Sequence, residues 1–198
     1  MDGTELPTSN ALKYFSAPNL AGVEGLVHGF LTRVGGVSGT PFSSLNSGKA
    51  GDEVNAGGSE KAGGNMAALE KAFNIPANSL FTMKQVHGST VLVVNGTILR
   101  NNKRKPEADG VITVETGLPI GVLTADCMPI LLFDPVARAV GAVHAGWRGV
   151  VSGVIQVAVE AMRGEYAASP GRILAAIGPH IGPCCYCVKE DLFEKFTR

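Results

Sequence analysis

The chain has 198 residues, 45% of them hydrophobic and 17% charged, with 17 Lys plus Arg against 17 Asp plus Glu. That length fills one substantial domain with its own core, and the composition excludes a disordered chain. A formal charge of zero gives no support for a nucleic-acid or anionic-membrane partner.

The first ten residues, MDGTELPTSN, carry neither a basic stretch nor an apolar run, so no secretory leader is expected there. Residues 26–32 predict a strand. A glycine-rich segment from Gly48 to Gly64 starts as a loop and becomes a helix near Ser59, with Met66, Leu69 and Phe73 on one face and Pro76 as its stop. Short Val/Ile/Leu-rich runs bounded by Gly, Pro or Asp predict strands at 90–95, 110–113, 120–124, 129–134, 139–144 and 172–177. Between the last two lies an amphipathic helix over 149–163. Its apolar face is Val150, Val151, Val154, Ile155, Ala158, Val159 and Met162. Many strands, two or three helices and no strict alternation predict an α+β fold, a layered single domain over 1–198.

The basic run from Arg100 to Lys105 reads as a solvated loop. No uncharged apolar run reaches the roughly 18 residues of a membrane span; the longest candidate, 118–133, is interrupted by Asp126. Four cysteines at uneven spacing, three of them at 184, 185 and 187, do not make a disulfide framework and predict a reduced, cytoplasmic protein.

The runs 129–134 and 139–144, joined through Asp134-Pro135, predict a β-hairpin. A turn centred on Pro135-Val136 sets Cys127 opposite His144, because paired residue numbers then sum to about 271. Three readings stay open for that pair: core packing, two ligands of one metal ion, or a thiol activated by an imidazole. A metal needs a third ligand. Of the four histidines, His87 lies at a strand edge beside a glycine. His28 reads as a hydrogen-bonded structural residue, and His180 lies on a Gly/Pro loop.

Several motifs occur in an order that resembles the laccase-domain family, long labelled multicopper polyphenol oxidases and since described as zinc-binding purine nucleoside enzymes. They are Thr32-Arg33-Val34-Gly35-Gly36-Val37-Ser38, Met83-Lys84-Gln85-Val86-His87-Gly88, Ala108-Asp109-Gly110, Thr124-Ala125-Asp126-Cys127, His144-Ala145-Gly146-Trp147-Arg148-Gly149 and Ile177-Gly178-Pro179. The resemblance runs from about Val27 onwards. It implies an α+β sandwich of mixed sheets flanked by helices, and metal ligation by His87, Cys127 and His144. It also implies phosphorolysis of adenosine, inosine and methylthioadenosine to free base and a sugar 1-phosphate, with adenosine deamination. The chain departs from the family pattern at Met66 after Asn65 and at Cys187 after Tyr186. The family also continues beyond the helix that starts near Lys189, so a C-terminally shortened domain is expected.

Three protein ligands leave a fourth position open, which is the catalytic pattern for zinc. Deamination would also need a carboxyl proton shuttle, for which Asp126 and Asp109 are candidates. Phosphorolysis needs an anion site, for which Arg33 and Arg148 are candidates, with backbone N–H groups at Gly35-Gly36. Gln85 and Asn46 are candidates for contacts to base or sugar. A multicopper oxidase would need more imidazoles than four histidines supply, so zinc ranks above copper. The expected partners are a purine nucleoside and phosphate. The alternatives are a cysteine hydrolase or an editing factor for cell-wall precursors with Cys127 as nucleophile, a metal-binding protein without catalysis, and, ranked below these, a copper polyphenol oxidase. Cys184 and Cys187, with Cys185 between them, read as ordinary loop or pocket cysteines, with a redox motif as the alternative.

Overall fold

The structure is a computed structural model and describes residues 12–39, 44–46, 58–95, 105–188 and 190–196. Most of the basic run at 100–105 and residues 47–57 of the glycine-rich segment lie outside the described residues. The chain gathers into two compact units, 1–80 and 81–198.

In the first unit, β1 (Tyr14–Phe15) pairs antiparallel with β2 (Phe30–Leu31). Helix α1 spans Gly58–Ala72. The predicted strand at 26–32 is thus shorter than its apolar run, because β1 offers only two residues to pair with. The helix face is as expected. Leu69 is buried, Met66 is half-buried, and the Phe73 ring lies 4.8 Å from that of Tyr14. Asn65 is fully buried and accepts from Val37 N while donating to Ser38 Oγ and Asn46 O. One amide thereby ties two stretches of the 37–46 segment to the helix. His28 is structural, accepting a 2.9 Å bond from Ala17 N.

The second unit is built on a five-stranded mixed sheet. Its strands are β3 (Val91–Val93), β4 (Gly110–Thr113), β5 (Met128–Asp134), β6 (Ala139–Ala145) and β7 (Leu174–Ile177), in the order β3-β4-β6-β5-β7. The β3–β4 pair is parallel and the others are antiparallel. Side chains alternate between the two faces. Ile112, Ile130, Leu132 and Val143 meet Val154, Ala158 and Met162 on one face. Val111 and Ala142 meet Phe81, Met83, Val94 and Ala108 on the other. The α+β expectation holds, with two sheets and helices against them.

The long helix is in fact two. Helix α2 covers Trp147–Val151 and α3 covers Val154–Tyr166. Gly153 interrupts them in the left-handed region, at φ 78°, which glycine adopts without the Cβ penalty. Val151, placed on the predicted apolar face, is 42% exposed. Residues 120–124 do not form a strand. Ile120 makes one isolated bridge to Phe81, and Leu123 is held by a side chain instead. A last helix, α4, spans Glu190–Phe196. Among the described residues, no helix is long and apolar enough to cross a membrane.

Candidate metal centre

The β5–β6 hairpin forms as expected, but its register differs. Met128 pairs with Ala145 and Pro129 with His144, so paired numbers sum to 273. The turn is four residues, 135–138, capped by the Asp134 carboxylate, which accepts from Val136 N and Ala137 N, and Arg138 takes a left-handed φ of 54°. Cys127 therefore does not face His144 across the ladder. The change is an even number, so His144 keeps its face; Cys127 lies one residue before β5, and its sulfur comes within 4.8 Å of the His144 ligand nitrogen on that face. That face is the one turned away from α3.

His87 arrives from the segment that covers this face. Phe81 bridges Ile120 and Lys84 bridges Glu107, which carries residues 81–88 along the sheet. His87 itself has φ 60°, an uncommon conformation for a residue with a Cβ. Asp109 accounts for it. Its carboxylate accepts from Val86 N at 3.2 Å, His87 N at 2.9 Å and Gly88 N at 2.7 Å, so three successive N–H groups form a nest around one anion. The same carboxylate lies 2.8 Å from His144 Nδ1.

Asp109 is fully buried. Burial pushes its carboxyl up, but the His144 bond and the three backbone donors outweigh that and hold it below the usual range. As a carboxylate it accepts a hydrogen bond from His144 Nδ1–H, which leaves the Nε2 lone pair free to ligate a metal.

The ligand atoms of His87, Cys127 and His144 lie within 4.8 Å of one another. The two imidazole rings meet nearly edge-on, at an interplanar angle of 80°. The space between the three side chains is kept open by Gly146. A Cβ there would stand 2.9 Å from His87 Cδ2 and 3.2 Å from Cys127 Sγ. His144 is buried, Cys127 half-buried and His87 exposed, so the cluster is reached from the His87 side. Two imidazoles and one thiol around an open cradle fit a single metal ion, and the cluster can hold one. Burial, then the charges of Asp126 and Asp109, push the Cys127 thiol up. A bound cation would reverse that, because a coordinating thiol is deprotonated.

The other predicted site residues are placed as follows. Gln85 is engaged at both ends of its amide with the backbone of Leu123, at 2.7 Å each. Arg148 is exposed, with its guanidinium 4.4 Å from the Trp147 ring centroid, and Lys195 approaches the same ring at 5.2 Å. Arg33 has an exposed side chain, while its carbonyl accepts from Ser44 N and Leu45 N. Gly36 N donates to Ser44 Oγ. Asn46 accepts through its carbonyl from Asn65. Asp126 is exposed beside Cys127. Asp109 is the site residue whose role is least visible in the sequence. The sequence marks it as a motif residue and a candidate proton shuttle, whereas its carboxylate is engaged with His144 and the backbone of residues 86–88.

The profile of the family described as multi-copper polyphenol oxidoreductase laccase matches residues 27–198. A protein of Streptomyces coelicolor named purine nucleoside phosphorylase is 42% identical over 171 residues, covering 86% of this chain and 67% of that protein. Human purine nucleoside phosphorylase LACC1 is 33% identical over 175 residues, which is 86% of this chain and 38% of that one. The crystal structure of YlmD from Geobacillus stearothermophilus superposes with a TM-score of 0.81 at 31% identity, covering 98% of this chain and 70% of that chain. By profile, sequence and fold, the chain belongs to the laccase-domain family, that of the multi-copper polyphenol oxidoreductase laccases.

Proposed function

We propose that this chain is a zinc-dependent purine nucleoside phosphorylase, cleaving adenosine or inosine with phosphate to free base and ribose 1-phosphate, and that it also deaminates adenosine. The observation that carries the reading is the convergence of His87, Cys127 and His144 on Gly146, in a chain whose relatives are named purine nucleoside phosphorylases. Zinc held there would supply Lewis-acid polarisation and activation of water.

The chain's own residues do the rest. Asp109 fixes the His144 tautomer and the His87 loop together. Arg33 and Arg148 are each proposed as a phosphate partner, since a guanidinium can bind phosphate bidentately. Gln85 and Asn46 are assigned to the nucleoside; Gln85 does so from an amide already oriented by Leu123. Asp109 is spent on four hydrogen bonds, which leaves the exposed Asp126 as the carboxyl for proton transfer in deamination.

Histidine use disfavours a multicopper centre. His28 bonds to Ala17 N and His180 Nδ1 to Gly178 O, so two of the four histidines serve the backbone. The raised thiol of Cys127 disfavours a metal-free nucleophile, which needs the opposite shift. The test is product chromatography with adenosine and inosine, with and without phosphate, before and after chelation. Free base and ribose 1-phosphate that require both phosphate and metal are expected. Nucleoside turnover undiminished by chelation would support the cysteine hydrolase instead.

A further inference from the structure

We propose that Cys184 and Cys185 form a second ligand site, separate from the His87 cluster: a vicinal dithiol that captures trivalent, thiol-seeking metalloids of the arsenical class. Both cysteines are free and exposed, and their sulfurs lie 3.3 Å apart. Neither belongs to the His87–Cys127–His144 group. The loop that presents them is anchored. Gly178 N donates to Pro129 O, Ile181 N to Asp126 O, and Cys185 N to Gly182 O, at 2.9, 3.0 and 3.0 Å. The dithiol is therefore presented by a turn whose backbone is already hydrogen-bonded.

The spacing selects the ligand. A disulfide would need the sulfurs at about 2.05 Å and Cα atoms usually at least about 4.4 Å apart, whereas adjacent residues hold them at about 3.8 Å. That bond is strained. An atom bonded to each sulfur at about 2.3 Å spans 3.3 Å with an angle of about 90° at its centre. Such an angle suits a pyramidal trivalent centre. A tetrahedral ion needs the sulfurs further apart, and a linear one further still.

The reaction balances without an oxidant. With a monosubstituted arsenical oxide, two As–S bonds form and the As–O double bond breaks. Both thiol protons leave with that oxygen as one water, and arsenic stays trivalent. Closure of the second As–S bond is intramolecular, so its effective concentration is high and a monothiol in solution competes poorly.

The test uses the full reduced chain, phenylarsine oxide and intact mass spectrometry. One arsenical less one water per chain is expected. The adduct should survive excess monothiol and be stripped by excess dithiol. Cys184→Ser and Cys185→Ser should each lose it under monothiol, while Cys127→Ser and Cys187→Ser keep it. Fragment mapping of the wild-type adduct should place arsenic on both Cys184 and Cys185, a readout independent of how any variant folds. Arsenic mapped to Cys127 or Cys187, or no monothiol-resistant adduct on the wild type, overturns the proposal.

Discussion

Asp109 Oδ1 and His144 Nδ1 lie 2.8 Å apart with both side chains almost wholly out of water. A carboxylate behind an imidazole fixes the ring's tautomer and raises the basicity of its far nitrogen. This carboxylate also holds the backbone of residues 86–88, so it positions two of the three candidate ligands at once.

Asp109→Asn should therefore weaken metal binding more than it disturbs the sheet. An amide keeps one acceptor oxygen but loses the charge, and its NH2 group faces a backbone N–H. A loss of about 10- to 100-fold in zinc affinity is expected. Competition titration against a chromophoric chelator measures it. Wild-type affinity in Asp109→Asn would remove the positioning role.

Purified without added metal, the chain should carry about one zinc, the content of a single three-ligand site. Cys127→Ser and His144→Ala should each lose most of it, because a site with an open position has no spare donor. Elemental analysis decides this. Zinc retained by both variants would take these residues out of the site.

Asp134 gives a pH prediction away from the metal. Burial raises its carboxyl. The N–H groups of Ala137, Ser169 and Val136, then the charge of Arg172, more than offset that and bring it from 3.8 down to about 2. A folded-state value below the unfolded one contributes stability that is full above the unfolded value and is lost as pH falls through the folded one. Wild-type stability should therefore drop between about pH 4 and pH 2, by about 2 kcal/mol from this group. Asp134→Asn should be less stable at neutral pH and flatter across that window. Denaturant melts at pH 2, 4 and 7 check the slope; parallel profiles for the two proteins would exclude Asp134 as its source.

The hairpin could be read from the sequence because its two apolar runs flank an Asp-Pro turn. Its register follows from the four residues that the two runs leave between them, 135–138, and not from a turn centred on Pro135-Val136; the Asp134 carboxylate caps that longer loop. The difference in register is an even number, so each side chain keeps its face of the sheet. The helix break is invisible in the sequence because Gly153 sits inside an apolar repeat, where periodicity carries no trace of a left-handed residue. Residues 120–124 have strand composition, but among the described residues they make only the one bridge, from Ile120 to Phe81. The role of Asp109 depends on partners 21 to 35 residues away, and no local pattern encodes them.

Arg33 offers the sharpest test of how the two proposed activities divide. Its carbonyl is fixed by Ser44 and Leu45, while its guanidinium is exposed and so available to an anion. Phosphorolysis requires bound phosphate; deamination consumes only water. Removing one charge-assisted contact costs about 1.5–3 kcal/mol, or roughly 10-fold or more in the affected reaction. Arg33→Ala should thus depress the yield of free base and ribose 1-phosphate from adenosine by at least about 10-fold, with inosine formation nearly unchanged. Raised phosphate should recover part of the lost rate if the defect is in anion binding. Chromatography of both products across a phosphate series measures the split. Equal loss of the two activities, with no recovery at high phosphate, would refute a phosphate role for Arg33 and leave Arg148 to hold the anion.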